Sequence, residues 1–155
     1  MNIRSHPQAI IMGDFNDYPT NQSILKILKA EAPPVKTNDL ASATDSANAS
    51  TVTPSSLKLY HLLARKAKSK NFGSYKFRGE WGLLAHLIVS GTLLNQSNHF
   101  FTSEEKANVC LLPFLLKDDE KYGDKEPFRT YKGMKYQGGI SDHLPIYTDF
   151  ELIVY

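Results

Sequence analysis

A short apolar run near the start of the chain ends abruptly in polar residues. The segment 10–19, IIMGDFNDYP, passes from three apolar residues into a glycine, two acids and an amide. Such a run is typical of a buried strand, and the strand would carry Asp14 and Asn16 at its tip. Residues two apart in an extended chain share one face, so we expect these side chains to point the same way. A turn is the alternative, because Gly, Asp, Asn and Pro all favour turns.

A second polar pair lies far downstream, in the segment 138–146, GGISDHLPI. Asp142 and His143 follow two glycines and precede an alternating apolar pattern that predicts a closing strand. An acid and an imidazole at such a junction can supply a metal or water ligand and a cationic donor to phosphate. A carboxylate beside an amide, as at Asp14 and Asn16, suits phosphoryl transfer. We therefore expect the two pairs to meet around one pocket.

Composition sets wide bounds on the function. The 155 residues are 41% hydrophobic and 22% charged, which indicates one domain with a real core. A net charge of +2 is too small to indicate nucleic-acid binding by itself. Cys110 is the single cysteine, so no intrachain disulfide forms. The sequence has no apolar stretch of about 20 residues and starts with a polar segment, so we expect a soluble chain without a membrane span.

Helices and strands are both predicted along the chain. Helical spacing of apolar residues predicts helices over 20–31 and 57–68, with Ile24, Ile27 and Leu28 on one face of the first. Strands are predicted at YKF and LAHLIVS and in the closing segment 145–155. The segment 33–56 has no apolar period and is predicted to be a long, low-complexity loop. Strands interleaved with helices favour a layered α/β fold.

Two end motifs in a fixed order give the sequence a family resemblance. IIMGDFND, SDHLPI and the intervening YKFRGEWGLLAHLIVS resemble the endonuclease/exonuclease/phosphatase family, which is deoxyribonuclease I-like. The resemblance runs from residue 9 to the end of the chain, without the loop at 33–56, and covers the C-terminal half of the family's fold. It implies that residues 1–155 form half of a four-layer α/β sandwich. That half would be one mixed, largely antiparallel sheet with helices on one face.

The resemblance also implies roles for individual residues in a divalent-metal-dependent phosphoesterase. Asp14 would orient or deprotonate the attacking water or manage the leaving oxygen, and Asn16 would hold a phosphate oxygen or the metal shell. His143, as imidazolium, would bond the non-bridging oxygen where charge develops. Asp142 would lie at a Mg²⁺ or Mn²⁺ ion, since hard oxygen ligands suit hard cations.

Two departures from the family pattern weigh against a complete enzyme. The upstream glutamate that is the family's main metal ligand has no counterpart, and only eight residues precede the matching region. Ala85 stands where the family has an aspartate that bonds the histidine of the closing motif. His86 cannot replace it, because neighbouring strand residues point to opposite faces. A truncated, inactive fragment and a non-catalytic interaction module with a decayed site are therefore alternatives. The missing half or a second copy of the chain would cover the exposed sheet face.

Basic and aromatic residues alternate in two further segments. Arg78 follows Tyr75 and Phe77, and Arg129 follows Phe128, a mixture that suits phosphate and ring recognition. We interpret the two arginines as substrate-binding candidates, with solvated loops as the alternative. The substrate could be nucleic acid, a phosphorylated lipid head group or a sugar phosphate. His61 lacks a partner at ligand spacing and is predicted to be incidental.

Overall fold

Short strands and single helical turns are the regular elements of the described chain. The structure is a computed structural model that describes residues 8–35 and 54–154. In these ranges the helical turns are Ser23–Ile27, Lys66–Lys68, Gly91–Leu94, Glu104–Lys106 and Pro113–Leu115. The strands are β1 (Ile10–Asp14), β2 (Leu59–His61), β3 (Tyr75–Phe77), β4 (Glu80–Gly82), β5 (Ala85–Ser90), β6 (Phe100–Phe101), β7 (Ala107–Val109), β8 (Leu116–Asp118), β9 (Lys125–Pro127), β10 (Tyr131–Lys132), β11 (Lys135–Tyr136), β12 (Ile146–Thr148) and β13 (Glu151–Leu152).

A three-stranded antiparallel sheet in the order β1-β5-β2 lies at the centre. All six residues of β5 are buried, because its apolar side chains face a core on both sides. In the register, Asp14 at the end of β1 lies opposite Ala85 at the start of β5. On the other edge, His61 of β2 lies opposite Ile88. The sheet therefore brings the upstream acid next to Ala85.

Five two-stranded antiparallel sheets surround the central one, and two of them position the downstream motif. Strand β12, which begins just after the SDH segment, pairs with β7, and β3 pairs with β4. A single bridge joins Tyr75 of β3 to His143. The remaining pairs are β6 with β13, β8 with β9, and β10 with β11. These contacts place the end of the chain beside β3 and the central sheet.

The core has two parts, one on each face of β5. Leu87 and Val89 pack into the larger cluster, and Ile88 packs into a smaller cluster with Ile24 and Ala30. The buried members of the larger cluster also include Tyr60, Leu62, Leu63, Leu83, Leu93, Leu94, Ala107, Val109, Leu115 and Leu144. Burial on both faces explains why β5 reads as a continuous apolar run rather than a strict alternation.

The helical predictions are largely wrong. The segment predicted as a helix over 57–68 begins with a strand, Leu59–His61, because pairing with β5 overrides its weak helical spacing. The predicted helix over 20–31 is reduced to one turn, in which Ile24 is buried while Ile27 is 81% exposed. The expected single sheet with helices on one face is replaced by a strand-rich fold of several small antiparallel sheets.

The strand predictions hold for the segments that carry the motifs. The strands at IIMGD, YKF and AHLIVS are present, and the closing segment forms two short strands instead of one long one. The burial predicted for the first strand is wrong, because it lies at the edge of the sheet with Ile10 and Met12 exposed. Most of the predicted loop, residues 36–53, lies outside the described residues. Within the described ranges no helix has the length and apolar character needed to cross a membrane.

Candidate active site

The upstream acid and amide are held by a tight turn at the end of β1. Asn16 has a left-handed backbone with φ of 53°, and its amide N–H donates to Asp14 Oδ1 at 2.9 Å. The extended arrangement predicted for these two residues is therefore wrong, and the turn alternative describes the backbone correctly. Asparagine tolerates the left-handed region better than most residues, which explains its position here. The turn nevertheless keeps the Asp14 carboxylate bonded to the Asn16 backbone.

Hydrogen bonds fix the turn on both sides of Asn16. The Phe15 amide N–H donates to the Leu84 carbonyl at 3.0 Å. The Asp17 carboxylate accepts bonds from the Ser23 hydroxyl at 2.6 Å and the Asn21 side-chain amide at 2.5 Å. These two bonds, that from Ser23 first, hold the pKa of Asp17 below its ordinary value. The turn is thus anchored before and after its left-handed residue.

The downstream pair is fastened to strand β3. The His143 amide N–H donates to Ser141 Oγ at 3.1 Å, and the next amide, that of Leu144, donates to the Ser74 carbonyl at 2.7 Å. The His143 ring lies 4.9 Å, centroid to centroid, from the ring of Tyr75. Gly139 passes so close to the backbone of residue 128 that any side chain there would clash. The path of the chain into the SDH segment is therefore narrowly defined.

The two polar ends of the chain meet in space. Nδ1 of His143 lies 3.5 Å from Oδ2 of Asp14, which brings together the acid of the first motif and the imidazole of the second. This distance is long for a hydrogen bond. The nitrogen is shielded from solvent and has no hydrogen-bond partner among the described residues. Asp142 is exposed beside it.

Ala85 lies in the strand next to the acid that approaches His143. Ala85 is buried directly opposite Asp14, and directly opposed residues of two antiparallel strands face the same side of the sheet. A methyl group at this position cannot accept a hydrogen bond. Among the described residues, Asp14 supplies the carboxylate that lies 3.5 Å from His143 Nδ1, although the sequence pattern assigns it to the reacting water instead.

The two candidate arginines both contact residues of β3. The Arg129 guanidinium donates from Nη2 to the Lys76 carbonyl at 3.4 Å, while its buried Nε has no hydrogen-bond partner among the described residues. Arg78 lies in the turn after β3, and its guanidinium is 5.1 Å from the Phe77 ring centroid. Strand β3 also carries Tyr75, which contacts His143. Both arginines are thus connected to the site through one short strand.

Comparison with known families identifies the chain. The sequence model of the endonuclease/exonuclease/phosphatase family matches residues 2–152. The chain belongs to the endonuclease/exonuclease/phosphatase family. No curated protein and no solved structure matches it significantly. Enzymes of the endonuclease/exonuclease/phosphatase family act on phosphorylated substrates and generally use divalent metal ions.

Two buried histidines, His61 and His86, form a pair beneath the turn. The sequence of this endonuclease/exonuclease/phosphatase chain did not reveal this pair. Nε2 of His61 lies 2.7 Å from Nδ1 of His86, and Nε2 of His86 lies 2.8 Å from the Asp17 carbonyl oxygen. His61 therefore has a hydrogen-bond partner in the structure, while its lack of a functional role stays a prediction. Its partner is visible only when the register of β2 on β5 is known, and no spacing in the sequence encodes that register. His86 lies on the face opposite Ala85, as alternation predicts.

Both buried imidazoles are kept neutral. Burial first, and the neighbouring His86 second, lower the pKa of His61 to about 3. Burial also lowers the pKa of His86, against the opposing effects of the Asp17 carbonyl and of the Asp17 and Asp14 carboxylates. A neutral imidazole can both donate and accept one hydrogen bond, whereas an imidazolium can only donate.

The lowered pKa of His61 predicts that acid destabilises the fold. Below its ordinary pKa of 6.5, His61 takes up a proton in the unfolded chain but not in the folded one until the pH approaches 3. The unfolded state binds more protons in this window, so stability falls as the pH falls, by up to about 1.4 kcal/mol per pH unit. Urea unfolding at several pH values would show a steeper slope for the wild type than for His61→Asn, by about 1 kcal/mol per unit near pH 5. Equal slopes would contradict the assignment.

Proposed function

We propose that this chain hydrolyses phosphoesters in a divalent-metal-dependent reaction at a site that Asp14 and Asn16 form with Asp142 and His143. The observation that carries the proposal is the 3.5 Å approach of His143 Nδ1 to Asp14 Oδ2 in a chain of this family. The two motifs are almost 130 residues apart in the sequence, at 14 and 143. Their meeting is difficult to explain by separate turn-forming roles.

Each residue has a proposed role in the reaction. Asp14 accepts a proton from the attacking water or assists the leaving oxygen, and Asn16 donates its side-chain amide to a phosphate oxygen. His143 donates to a non-bridging oxygen, where negative charge increases in the transition state. In this scheme a carboxylate at position 85 would orient the imidazole, and Ala85 leaves that function unfilled.

The oxygen donors at the site can supply only part of the coordination shell of a hard cation. No group of three or more His, Cys, Asp or Glu residues suited to a metal is present in residues 8–35 and 54–154. Magnesium often binds through one or two carboxylates, with water and substrate phosphate completing an octahedron. Asp142 is the proposed protein ligand, with Asn16 nearby, for Mg²⁺ or Mn²⁺. When bound, the ion would neutralise charge on the phosphoryl oxygens.

The substrate is proposed to be nucleic acid, a phosphorylated lipid head group or a sugar phosphate. Arg78 and Arg129 are its proposed contacts. An arginine guanidinium suits phosphate because its N–H groups form a planar fork. The unbonded Nε of Arg129 supports this role, since a buried donor without a partner is uncommon in folded proteins.

The family's four-layer sandwich is proposed as the setting of the site, with a further half of the fold, or a second copy of the chain, covering the sheet. Ile10 and Met12 support this part of the proposal. Their side chains are 49% and 59% exposed. They lie on the same face of the sheet as their partners in β5, Val89 and Leu87. Exposed apolar residues that extend a buried face are a common mark of an interface.

A non-catalytic interaction module is the second candidate function. The observation that favours it is the buried Nδ1 of His143, which has no hydrogen-bond partner among the described residues. We propose that Ala85, in the position of the family's aspartate, is the reason. In this alternative the fold is kept for binding while the site has lost its chemistry.

Hydrolysis assays separate the two candidates. We expect bis(p-nitrophenyl) phosphate, abasic DNA or inositol phosphates to be cleaved slowly with Mg²⁺, and not at all after chelation by EDTA. Asp14→Asn keeps an acceptor for the Asn16 amide but removes the charge, so it should abolish the residual rate. Asp149→Asn, on the exposed segment after β12, is the matched control and should leave the residual rate unchanged. The absence of hydrolysis on every substrate, both in this chain and with aspartate at position 85, would favour the interaction module.

A further inference from the structure

Two buried imidazoles connect the central sheet to the turn that carries Asn16. His61 and His86 are both fully buried, and their ring centroids lie 4.7 Å apart. The chain of bonds runs from the Leu63 amide to His61, then to His86, and ends on the carbonyl of Asp17. The pair therefore spans from β2 through β5 to the end of the turn.

The groups at the two ends of this series of hydrogen bonds determine which ring nitrogen carries each proton. The Leu63 amide can only donate, and it lies 3.1 Å from His61 Nδ1, so that nitrogen carries the lone pair. The His61 proton is therefore on Nε2 and is donated to Nδ1 of His86. The His86 proton is then on Nε2, from which it is donated to the Asp17 carbonyl, a group that can only accept. The chain of hydrogen bonds is complete only while both rings are neutral.

The turn needs such support because of its backbone. Asn16 has φ of 53°, a conformation that persists only where the surroundings hold it. The Phe15 ring before it stacks on His86 at 4.9 Å, and the Asp17 carbonyl after it accepts the His86 proton. One imidazole thus contacts both neighbours of the left-handed residue. The charged groups facing this imidazole are the carboxylates of Asp14 and Asp17.

We propose that His86, oriented by His61, is a positioning residue that holds the turn of residues 14–17 in the geometry required for phosphoester hydrolysis. The inference rests on the proposed function for its catalytic consequence. Its structural part, an ordered and neutral imidazole chain that rigidifies the turn, stands independently. Neither histidine touches the substrate in this scheme, because both are buried beneath the turn.

Two substitutions at His86 separate shape from hydrogen bonding. His86→Phe keeps a flat ring against Phe15 but removes both ring nitrogens. His86→Gln restores an N–H donor that reaches the Asp17 carbonyl. Thr102→Val is the matched control, because Thr102 is also fully buried and its bonds go to Thr148 and Asp149 rather than to the turn.

NMR relaxation of the Asn16 amide measures the structural part. We expect an order parameter of about 0.85 in the wild type and in Thr102→Val, and below about 0.6 in His86→Phe, with recovery in His86→Gln. Ring-nitrogen shifts of the wild type should show both histidines neutral with the proton on Nε2. A rigid Asn16 in His86→Phe, or a proton on Nδ1 of either wild-type ring, would overturn the proposal.

Kinetics measure the catalytic part, in protein that carries Ala85→Asp. We expect His86→Phe to lower kcat by about 10- to 100-fold, with KM changed less than about twofold, and His86→Gln to recover most of the loss. Equal kcat values in His86→Phe and Thr102→Val would overturn the positioning role. If no variant hydrolyses any substrate, the proposed function fails, while the relaxation data still decide the structural part.

Discussion

Replacing Ala85 with aspartate is expected to raise Mg²⁺-dependent hydrolysis by about 10²- to 10⁴-fold, which is the range for a well-placed acid–base system. Position 85 is buried opposite Asp14, whose carboxylate lies 3.5 Å from the unsatisfied Nδ1 of His143, and we propose that a carboxylate at position 85 would also face this nitrogen. It would stabilise the imidazolium and free Asp14 from that contact. Initial rates on bis(p-nitrophenyl) phosphate, with circular dichroism to confirm folding, provide the measurement.

Ala85→Asn is the matched control for this prediction. The amide has nearly the shape of the carboxylate but no charge, and it can present an N–H where the ring requires an acceptor. The corresponding aspartate-to-asparagine change in an acid–histidine pair lowers turnover by about 10⁴ through the wrong imidazole tautomer. We therefore expect Asn at position 85 to gain less than about tenfold. Equal rates for the Asp and Asn variants would show that Ala85 is not the defect.

The second large effect is expected when the His143 imidazole is removed from protein that carries Ala85→Asp. His143→Ala in the Ala85→Asp background should lower kcat by about 10²- to 10³-fold, the usual loss for one donor to developing oxyanion charge. The His143 ring packs against Tyr75, and the His143 backbone N–H donates to the Ser141 hydroxyl. The ring is therefore oriented before substrate arrives. Such preorganisation is the physical source of the effect.

His99→Ala is the control for the loss of an imidazole. His99 is exposed beside the C-terminal strands, where it contacts the Ile153 carbonyl, and it has no role in the proposed site. Its substitution should leave kcat and KM within about twofold of the parent, as is usual for surface changes away from special features. A loss in His99→Ala as large as that in His143→Ala would show that the effect is on folding rather than on the transition state.

The motif-bearing strands could be predicted because their signals are local. Ile10–Met12 and the run Ala85–Ser90 have the apolar character of buried strands, and both are present. The Leu59–His61 strand could not be predicted, because its surroundings show helical spacing and only its pairing with β5 makes it extended. Long-range pairing of this kind is not encoded in any one window of sequence.

The candidate site divides in the same way between local and distant information. The residue types at Asp14, Asn16 and His143 were recognisable from their motifs, but the extended geometry expected at Asn16 was wrong. The left-handed turn depends on anchors at Leu84, Ser23 and His86, which lie on other elements. The contribution of His61 is similarly visible only in three dimensions.

Paramagnetic line broadening by Mn²⁺ tests the central claim most directly, since it reports proximity without needing turnover. Titration of isotope-labelled protein should broaden the amide signals of residues 14–16 together with those of 141–143, with Mg²⁺ as the diamagnetic competitor that reverses it. Asp142→Asn should weaken the effect at both segments equally. Broadening of only one segment, or of acidic residues elsewhere with neither segment affected, would contradict a single shared pocket.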